Sequence, residues 1–229
     1  MSLMTSLDKE QLALVEQTLY VAAVSDILDE LGCRNQVMHQ RLRPLLTDDI
    51  RKCGFIGRAK TISWEIVDGI DADVDPYGLE IQAMDSLLEG EVVVHSTDRK
   101  GTNAPWGELM STIAKRKGVK GCVCDSQIRD CIKIIEAGFP VFYAGIKPVD
   151  SKGRGIVVDY DRPVMCGEVE VHPGDIIFAD FDGIVVVPQH LEKKVFEMAK
   201  TKVNAENLSR KELIEGRSLR EVYDKYKAL

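Results

Sequence analysis

Apolar residues along this chain fall into two alternating rhythms. Leu12, Val15, Leu19, Ala22, Ala23, Ile27, Leu28 and Leu31 recur at three- and four-residue spacing, which predicts one helix over 8–31 with Gly32 as its stop. Residues 55–67 then alternate, with Ala59, Thr61, Ser63 and Glu65 opposing Ile56, Ile62 and Trp64, as expected of a strand. A helix over 79–88 leads through Gly90 into a valine strand at 92–94, followed by an irregular polar segment over 96–105. The spacing next predicts a helix over 107–117, a strand over 119–124, a helix over 130–137 and a strand over 141–143. After Gly153 the texture becomes short strands (155–159, 164–171, 175–178 and 184–187) broken by turns, and these read as a compact β-meander. Helices return over 189–208 and 218–227. The alternation predicts an α/β layered fold with a partly parallel sheet. No linker precedes the meander, so one domain spans 1–229, with about 189–229 as a C-terminal helical segment.

Composition narrows the classes. The 229 residues are 45% hydrophobic and 29% charged, with a formal net charge of -7, which argues against holding nucleic acid by neutralising phosphates. No apolar run approaches the roughly 18 to 20 residues that span a bilayer. The start lacks a basic n-region and a long apolar h-region, and Met1 to Leu3 ahead of a second methionine resemble a cloning remnant. A cytoplasmic location is expected. The six cysteines (33, 53, 122, 124, 131 and 166) form no Cys-x-x-Cys pair, so they read as small hydrophobes in a reducing compartment rather than zinc ligands. A strand would turn Cys122 and Cys124 to the same side.

The candidate chemistry sits in two stretches. Asp71, Asp73 and Asp75 begin like a calcium loop, but Pro76 replaces the glycine and Gln82 the closing glutamate, so a solvated acidic loop is the reading. The run Trp106, Gly107, Glu108, Leu109, Met110 instead places glycine and free backbone N–H groups at a helix start, which suits an anion. The run Cys124 to Asp130 puts Arg129 and Asp130 at the outlet of an apolar strand, where α/β folds present ligands. Arginine grips a carboxylate with a planar fork, and a carboxylate beside it can hold a hard divalent cation. Together these would suit a 2-oxo acid; a helix cap beside a surface Arg-Asp pair is the alternative on these residues alone.

A resemblance then enters. Gly107 to Met110, Gly118 to Gly121, Asp125 with Arg129 and Asp130, and Ala137 to Val141 are similar to the 4-hydroxy-4-methyl-2-oxoglutarate aldolase family. The regulator of ribonuclease E activity A shares that family's fold. Cys166-Gly167, Pro173 to Asp175 and Asp180 to Pro188 fit it as well, as do Val24 to Asp26, Glu206 with Arg210, and Gly216 to Leu219. The likeness runs in order along nearly the whole chain. It implies a β/β/α sandwich of the swivelling phosphohistidine-domain type, assembled as homotrimers or homohexamers with sites at subunit boundaries. It also implies that the amides of Leu109 and Met110 hold a pyruvyl carboxylate and that Arg129 contacts the same unit. Asp130 would bind Mg2+ or Mn2+ directly, Glu108 would approach the metal through water, and Glu206 would reach the site from a neighbouring subunit. The expected reaction is cleavage of a 4-hydroxy-2-oxo acid to pyruvate. Oxaloacetate decarboxylation is a companion, because both pass through one enolate. Glu108, through water, is the expected acid-base relay.

The chain departs from the pattern where Glu108 replaces an aspartate, and where Lys133 stands at a position that is acidic in a second pattern of the family. The other class of function is a regulator that docks on ribonuclease E or another protein and needs no metal. His95 reads as a structural histidine, Lys133 as a solvated helix residue, and Asp125 as either an orienter of Arg129 or a turn closer. The polar segment 96–105 and the loop 147–154 are expected to shape the far end of the pocket.

Overall fold

The computed structural model describes residues 6–45, 49–69, 75–97 and 101–228. Asp71, Asp73 and the starting residues Met1 to Leu3 lie outside them. The helix expected over 8–31 is two helices, α1 (Lys9–Thr18) and α2 (Val21–Glu30). Leu19 and Tyr20 between them are extended, with φ of -116° and -139°. The break is held from outside, since the Val21 N–H donates to Asp180 Oδ2 at 2.9 Å and the Tyr20 hydroxyl donates to Glu206. It lets Leu12 and Val15 of α1 bury in the same cluster as Val24, Ile27 and Leu28 of α2. Gly32 does end the second helix, at φ +83°, a conformation that favours glycine.

The strands are β1 (Arg43–Pro44), β2 (Phe55–Ile66), β3 (Glu91–Ser96), β4 (Gly121–Ile128), β5 (Val141–Ile146), β6 (Gly155–Tyr160), β7 (Val164–Cys166), β8 (Val169–Val171), β9 (Ile176–Asp180) and β10 (Gly183–Val187). The remaining helices are α3 (Gly78–Asp85), α4 (Glu108–Arg116), α5 (Cys131–Ala137), α6 (Glu192–Ile214) and α7 (Leu219–Tyr226). The main sheet is mixed, in the order β1-β5-β4-β3-β2-β9-β10. Strands β2, β3, β4 and β5 run parallel, with α3, α4 and α5 as the crossovers between them.

The C-terminal strands do not form a meander of their own. The long strand β2 pairs antiparallel with β9 along Phe55 to Arg58, then with β6 along Ile62 to Ile66, changing partner partway along. Only β7 and β8 stand apart, as a two-stranded hairpin turned at Gly167 and Glu168. Local pattern gave most of the strands, although 164–171, expected as one strand, is the two strands of that hairpin, and their partners are set by burial against residues about a hundred positions away.

Three layers result. The hairpin lies on one face, where Val164, Cys166, Val169 and Val171 cluster with Val92, Val94, Val123 and Phe142 of the sheet. On the other face Val93, Cys122, Cys124 and Val141 meet Ala83 and Met84 of α3, Ala114 of α4 and Ile134 of α5. The period-two split of Val92 and Val94 from Val93, and of Cys122 and Cys124 from Val123, is the mark of parallel strands buried on both faces. Farther along that face, α1, α2 and α6 cover Ile176, Phe178, Val185 and Val187 of β9 and β10. The cysteines are free thiols, and Cys122 and Cys124 are fully buried on the same side. Among the described residues no helix is long and apolar enough to cross a membrane.

Candidate active site

The pocket opens at the carboxyl ends of the parallel strands, where helix starts and loop backbones converge. Between the lining residues Pro105 and Gly107 the chain turns Trp106 inward, fully buried and paired by a parallel bridge with Ile128. The Trp106 indole N–H donates to Ser111 Oγ at 2.8 Å, and Ser111 Oγ donates to the Gly107 carbonyl at 3.0 Å, so the first turn of α4 is pinned onto the ring. Below, His95 is buried against both indoles, accepting from Trp64 Nε1 at 2.7 Å and lying 5.4 Å from Trp106, centroid to centroid. Because Nδ1 accepts, the imidazole is the neutral tautomer with its proton on Nε2. Burial pushes its pKa down to about 3, so it is structural, as the sequence suggested.

Gly107 is the N-cap of α4, and the close approach of Asp130 requires it. A Cβ there would meet Asp130 Oδ2 at 2.9 Å and Arg129 Cγ at 3.3 Å. Asp130 itself caps α5 in the left-handed region, at φ 58° and ψ 31°. That turn directs the chain so that Asp130 Oδ2 accepts the Glu108 N–H at 3.3 Å, with Arg129 Nε 3.9 Å away. Glu108 Oε1 accepts from Thr112 one turn further on, at 3.0 Å. The N–H groups of Leu109 and Met110, at the second and third positions of α4, precede any possible intrahelical acceptor. Gly107, Glu108, Leu109, Met110, Arg129 and Asp130 therefore line one pocket.

Glu206 does not line it within the same chain. It lies on α6, with its carboxylate taking the Tyr20 hydroxyl and lying 3.5 Å from Lys202 Nζ, beside a separate shallow cavity that includes Ser209 and Arg210. Asp125 neither orients Arg129 nor closes a local turn. Its Oδ1 accepts from the backbone N–H and the hydroxyl of Thr97, at 2.7 and 2.8 Å, and so fastens the end of β3. Lys133 is exposed on α5.

Three ionisable lining residues escaped the motifs: Tyr77, Glu80 and Asp150. Asp150 Oδ1 lies 3.1 Å from Arg129 Nη1, and its Oδ2 accepts from the Tyr77 hydroxyl at 2.6 Å. Burial would push Asp150 up, but the Tyr77 hydrogen bond, those of the Ser151 and Lys152 backbone and the Arg129 charge hold its carboxyl below the ordinary range. The same bond to Asp150 pushes the Tyr77 hydroxyl up to about 12. Glu80 is only 4% exposed and makes no hydrogen bond to a described residue. Burial first, then the Asp150 charge, push its pKa up to about 7, partly offset by Arg129. Asp150 falls within the loop expected to shape the pocket. Glu80 had a signal too, because it stands one helical step before Ala83 and Met84, on the buried stripe of α3.

The donor set bears on a metal. Among the described residues no three or more His, Cys, Asp or Glu gather as a ligand cluster, which speaks against a fully protein-caged ion. Asp130 with Glu108 offers the few hard oxygens that suit a magnesium-like cation keeping much of its water.

The RraA-like family, described as Aldolase/RraA, matches residues 21–186 of this sequence. The chain belongs to it. Among its relatives is a Halalkalibacterium halodurans protein provisionally named 4-hydroxy-4-methyl-2-oxoglutarate aldolase, 31% identical over 186 residues, 81% of this chain and 80% of that one. The crystal structure of an uncharacterized protein from Pseudomonas syringae superposes with a TM-score of 0.83 at 25% identity, covering 97% of this chain and 96% of that one. That of RraAS2 from Streptomyces coelicolor, an unusual member of the RNase ES inhibitor RraA protein family, superposes with a TM-score of 0.77 at 26% identity, covering 90% and 98%. This RraA-like chain thus resembles in sequence a relative provisionally named an aldolase, and in fold an RraA-family inhibitor.

Proposed function

We propose that this RraA-like protein is a divalent-metal-dependent lyase of the 4-hydroxy-4-methyl-2-oxoglutarate aldolase type, cleaving a 4-hydroxy-2-oxo acid to pyruvate and a second carbonyl compound. The observation that carries the reading is the convergence of the unpaired N–H groups of Leu109 and Met110, the Arg129 guanidinium and the Asp130 carboxylate on one pocket. In this reading the helix start and Arg129 bind the pyruvyl carboxylate and 2-oxo group. The C3–C4 bond breaks, its electron pair passes to C3 as the pyruvate enolate, and the 4-hydroxyl proton leaves as C4 becomes a carbonyl. A proton then returns to C3, with Glu108 as the relay. Asp130 would hold Mg2+ or Mn2+, with Glu108 contributing through water, and the cation would supply Lewis-acid stabilisation of the enolate oxygen. Oxaloacetate decarboxylation belongs to the same proposal, since it yields the same enolate.

We also place the protein in the cytoplasm, as a homotrimer or a homohexamer of the swivelling β/β/α type, with Glu206 and the C-terminal helices at a subunit boundary. Leu109 and Ile132, on the adjoining helices α4 and α5, are 73% and 74% exposed, which supports burial against another copy. Light scattering that finds an active monomer would sink this assembly.

Pyruvate release from 4-hydroxy-2-oxo acids and oxaloacetate, measured with chelator and then with added Mg2+ or Mn2+, tests the reaction. Activity abolished by chelator and restored by metal supports it. Metal-independent turnover, or a lysine adduct trapped by borohydride with pyruvate, overturns it. The second reading, a metal-free regulator of ribonuclease E type, draws support from the likeness to RraAS2 and predicts that Arg129 and Asp130 can be changed without loss of partner binding.

A further inference from the structure

The charges lining the pocket are unbalanced. Glu80, Glu108, Asp130 and Asp150 contribute carboxyl groups, and Arg129 is the one cationic side chain among the described lining residues. Even with Glu108 and Asp130 offset by a divalent ion, Asp150 and the Glu80 carboxyl, which is half ionised near pH 7, remain against that single guanidinium. Arg129 is moreover already engaged, with its Nη1 3.1 Å from Asp150 Oδ1. Asp150 cannot easily swing away, because its other oxygen is held by Tyr77 at 2.6 Å. The nearby Lys147 points its ammonium at the Thr102 carbonyl, 3.3 Å away, and does not line the pocket.

One carboxylate of a substrate is served here, by the α4 N-terminus together with Arg129. Among the described lining residues a second would find no free cation and would face carboxylates. Like charges brought within contact distance repel more strongly at a protein surface than in bulk water. Hydroxyl groups would instead find acceptors, since carboxylate oxygens take hydrogen bonds from O–H donors.

Resting on the lyase reading above, we propose that the substrate carries hydroxyls rather than a second carboxylate beyond the cleaved bond. It is a monocarboxylic, polyhydroxylated 4-hydroxy-2-oxo acid, and Asp150 sets this preference. The carbonyl fragment released with pyruvate is then a neutral hydroxyaldehyde. A reaction that dehydrates a sugar acid to its 2-oxo-3-deoxy form would supply such a substrate.

The test uses the intact protein with Mg2+ or Mn2+ and three measurements. Deuterium exchange at C3 of pyruvate reads enolate formation alone. Cleavage of 4,5,6-trihydroxy-2-oxohexanoate is compared with cleavage of 4-hydroxy-4-methyl-2-oxoglutarate as a ratio of kcat/KM. Calorimetry compares binding of 2-oxopentanoate and 2-oxoglutarate, which have equal carbon counts and differ by one carboxylate. The expected result is exchange, at least about a tenfold preference for the trihydroxy acid, and tighter binding of the monoanion. Asp150→Asn should shrink that preference by about tenfold. Exchange with an equal or reversed preference overturns this inference and leaves the lyase reading standing. Absence of exchange, with no cleavage of either acid, overturns both. Should Asp150→Asn fail to fold by circular dichroism, the wild-type ratio and the calorimetry still decide.

Discussion

Two buried glutamates on the helical side of the sheet live in opposite conditions. Glu192, at the start of α6, is 2% exposed, and Glu80, on α3, is 4% exposed. Glu192 accepts from Arg58 Nη1 at 3.0 Å and from the Leu7 N–H at 2.6 Å, while Arg58 Nη2 also donates to the Leu7 carbonyl at 2.8 Å. That carboxylate therefore ties the N-terminal segment, β2 and α6 together, with its charge matched. Glu80 accepts no hydrogen bond from a described residue, and its closest charged influences are Asp150 and Arg129. One half of the molecule spends its buried charge on holding elements in place. The other holds a buried carboxyl at the mouth of the parallel strands with its pKa pushed up to about 7, a perturbation that functional pockets favour.

The sharpest way to break that contrast is on the structural side. Glu192→Ala leaves Arg58 and the Leu7 N–H without their carboxylate, and should lower unfolding stability by about 3 kcal/mol in urea titrations, toward the low end for a buried pair because Arg58 is partly exposed. Metal-dependent activity per folded molecule should be unchanged. A loss of activity without a loss of stability would erase the distinction between the two regions.

Next is the pocket arginine. Arg129→Lys keeps the charge and loses the planar fork, so kcat/KM for pyruvate release should fall about 100-fold with KM raised and the unfolding midpoint little changed. Wild-type kinetics here, together with an Asp130→Asn protein that shows no altered metal dependence, would reduce the pair to a surface cap and favour the regulator.

Glu80→Gln comes third. The folded-state pKa of Glu80, about 7, lies above its ordinary 4.5, so its contribution is fully present below pH 4.5 and is lost as pH rises through 7. Replacement by glutamine should remove that slope, raising stability at pH 8 relative to wild type by on the order of 3 kcal/mol at most. His95 slopes the other way, because its pKa is pushed from 6.5 down to about 3 and stability falls as pH drops through that window. The two slopes oppose each other between pH 4.5 and 6.5. Unfolding curves of Glu80→Gln should therefore show a steeper acid limb than wild type, and identical pH profiles would refute the assignment.

The smallest effect belongs to Glu206→Ala. Its links to Tyr20 and Lys202 fasten α6 to the break before α2, so stability should fall by about 1 kcal/mol. A larger fall in activity than in stability, measured on the assembled protein, would support a role at a neighbour's site.

The sequence made one side of this contrast easier to read than the other. Gly107, Glu108, Arg129 and Asp130 lie in two short runs, each at a helix start, and the family resemblance paired what local pattern alone left open. Tyr77 and Glu80 at the start of α3 and Asp150 in the loop after β5 are joined only by the sheet order, and Tyr77 to Asp150 is a contact across 73 positions. Glu80 announced itself only as a charge on an apolar stripe, a signal that amphipathic reading discards as noise. The break in the first helix was hidden for the same reason. Leu19 and Tyr20 keep an unbroken helical spacing, and the break is held by Asp180 and Glu206, both far away in sequence.

The left-handed backbone of Asp130 sets durability against chemistry at a single position. A residue with a side chain costs about 1 kcal/mol or more at φ 58°, a conformation glycine adopts without that penalty and asparagine tolerates better than most. Asp130→Gly would therefore relax the turn, and in doing so would remove the carboxylate that gives the pocket its acid beside Arg129. Proteins bred in the laboratory for heat resistance alone should drift toward glycine or asparagine there, whereas those bred for turnover should retain the strained aspartate.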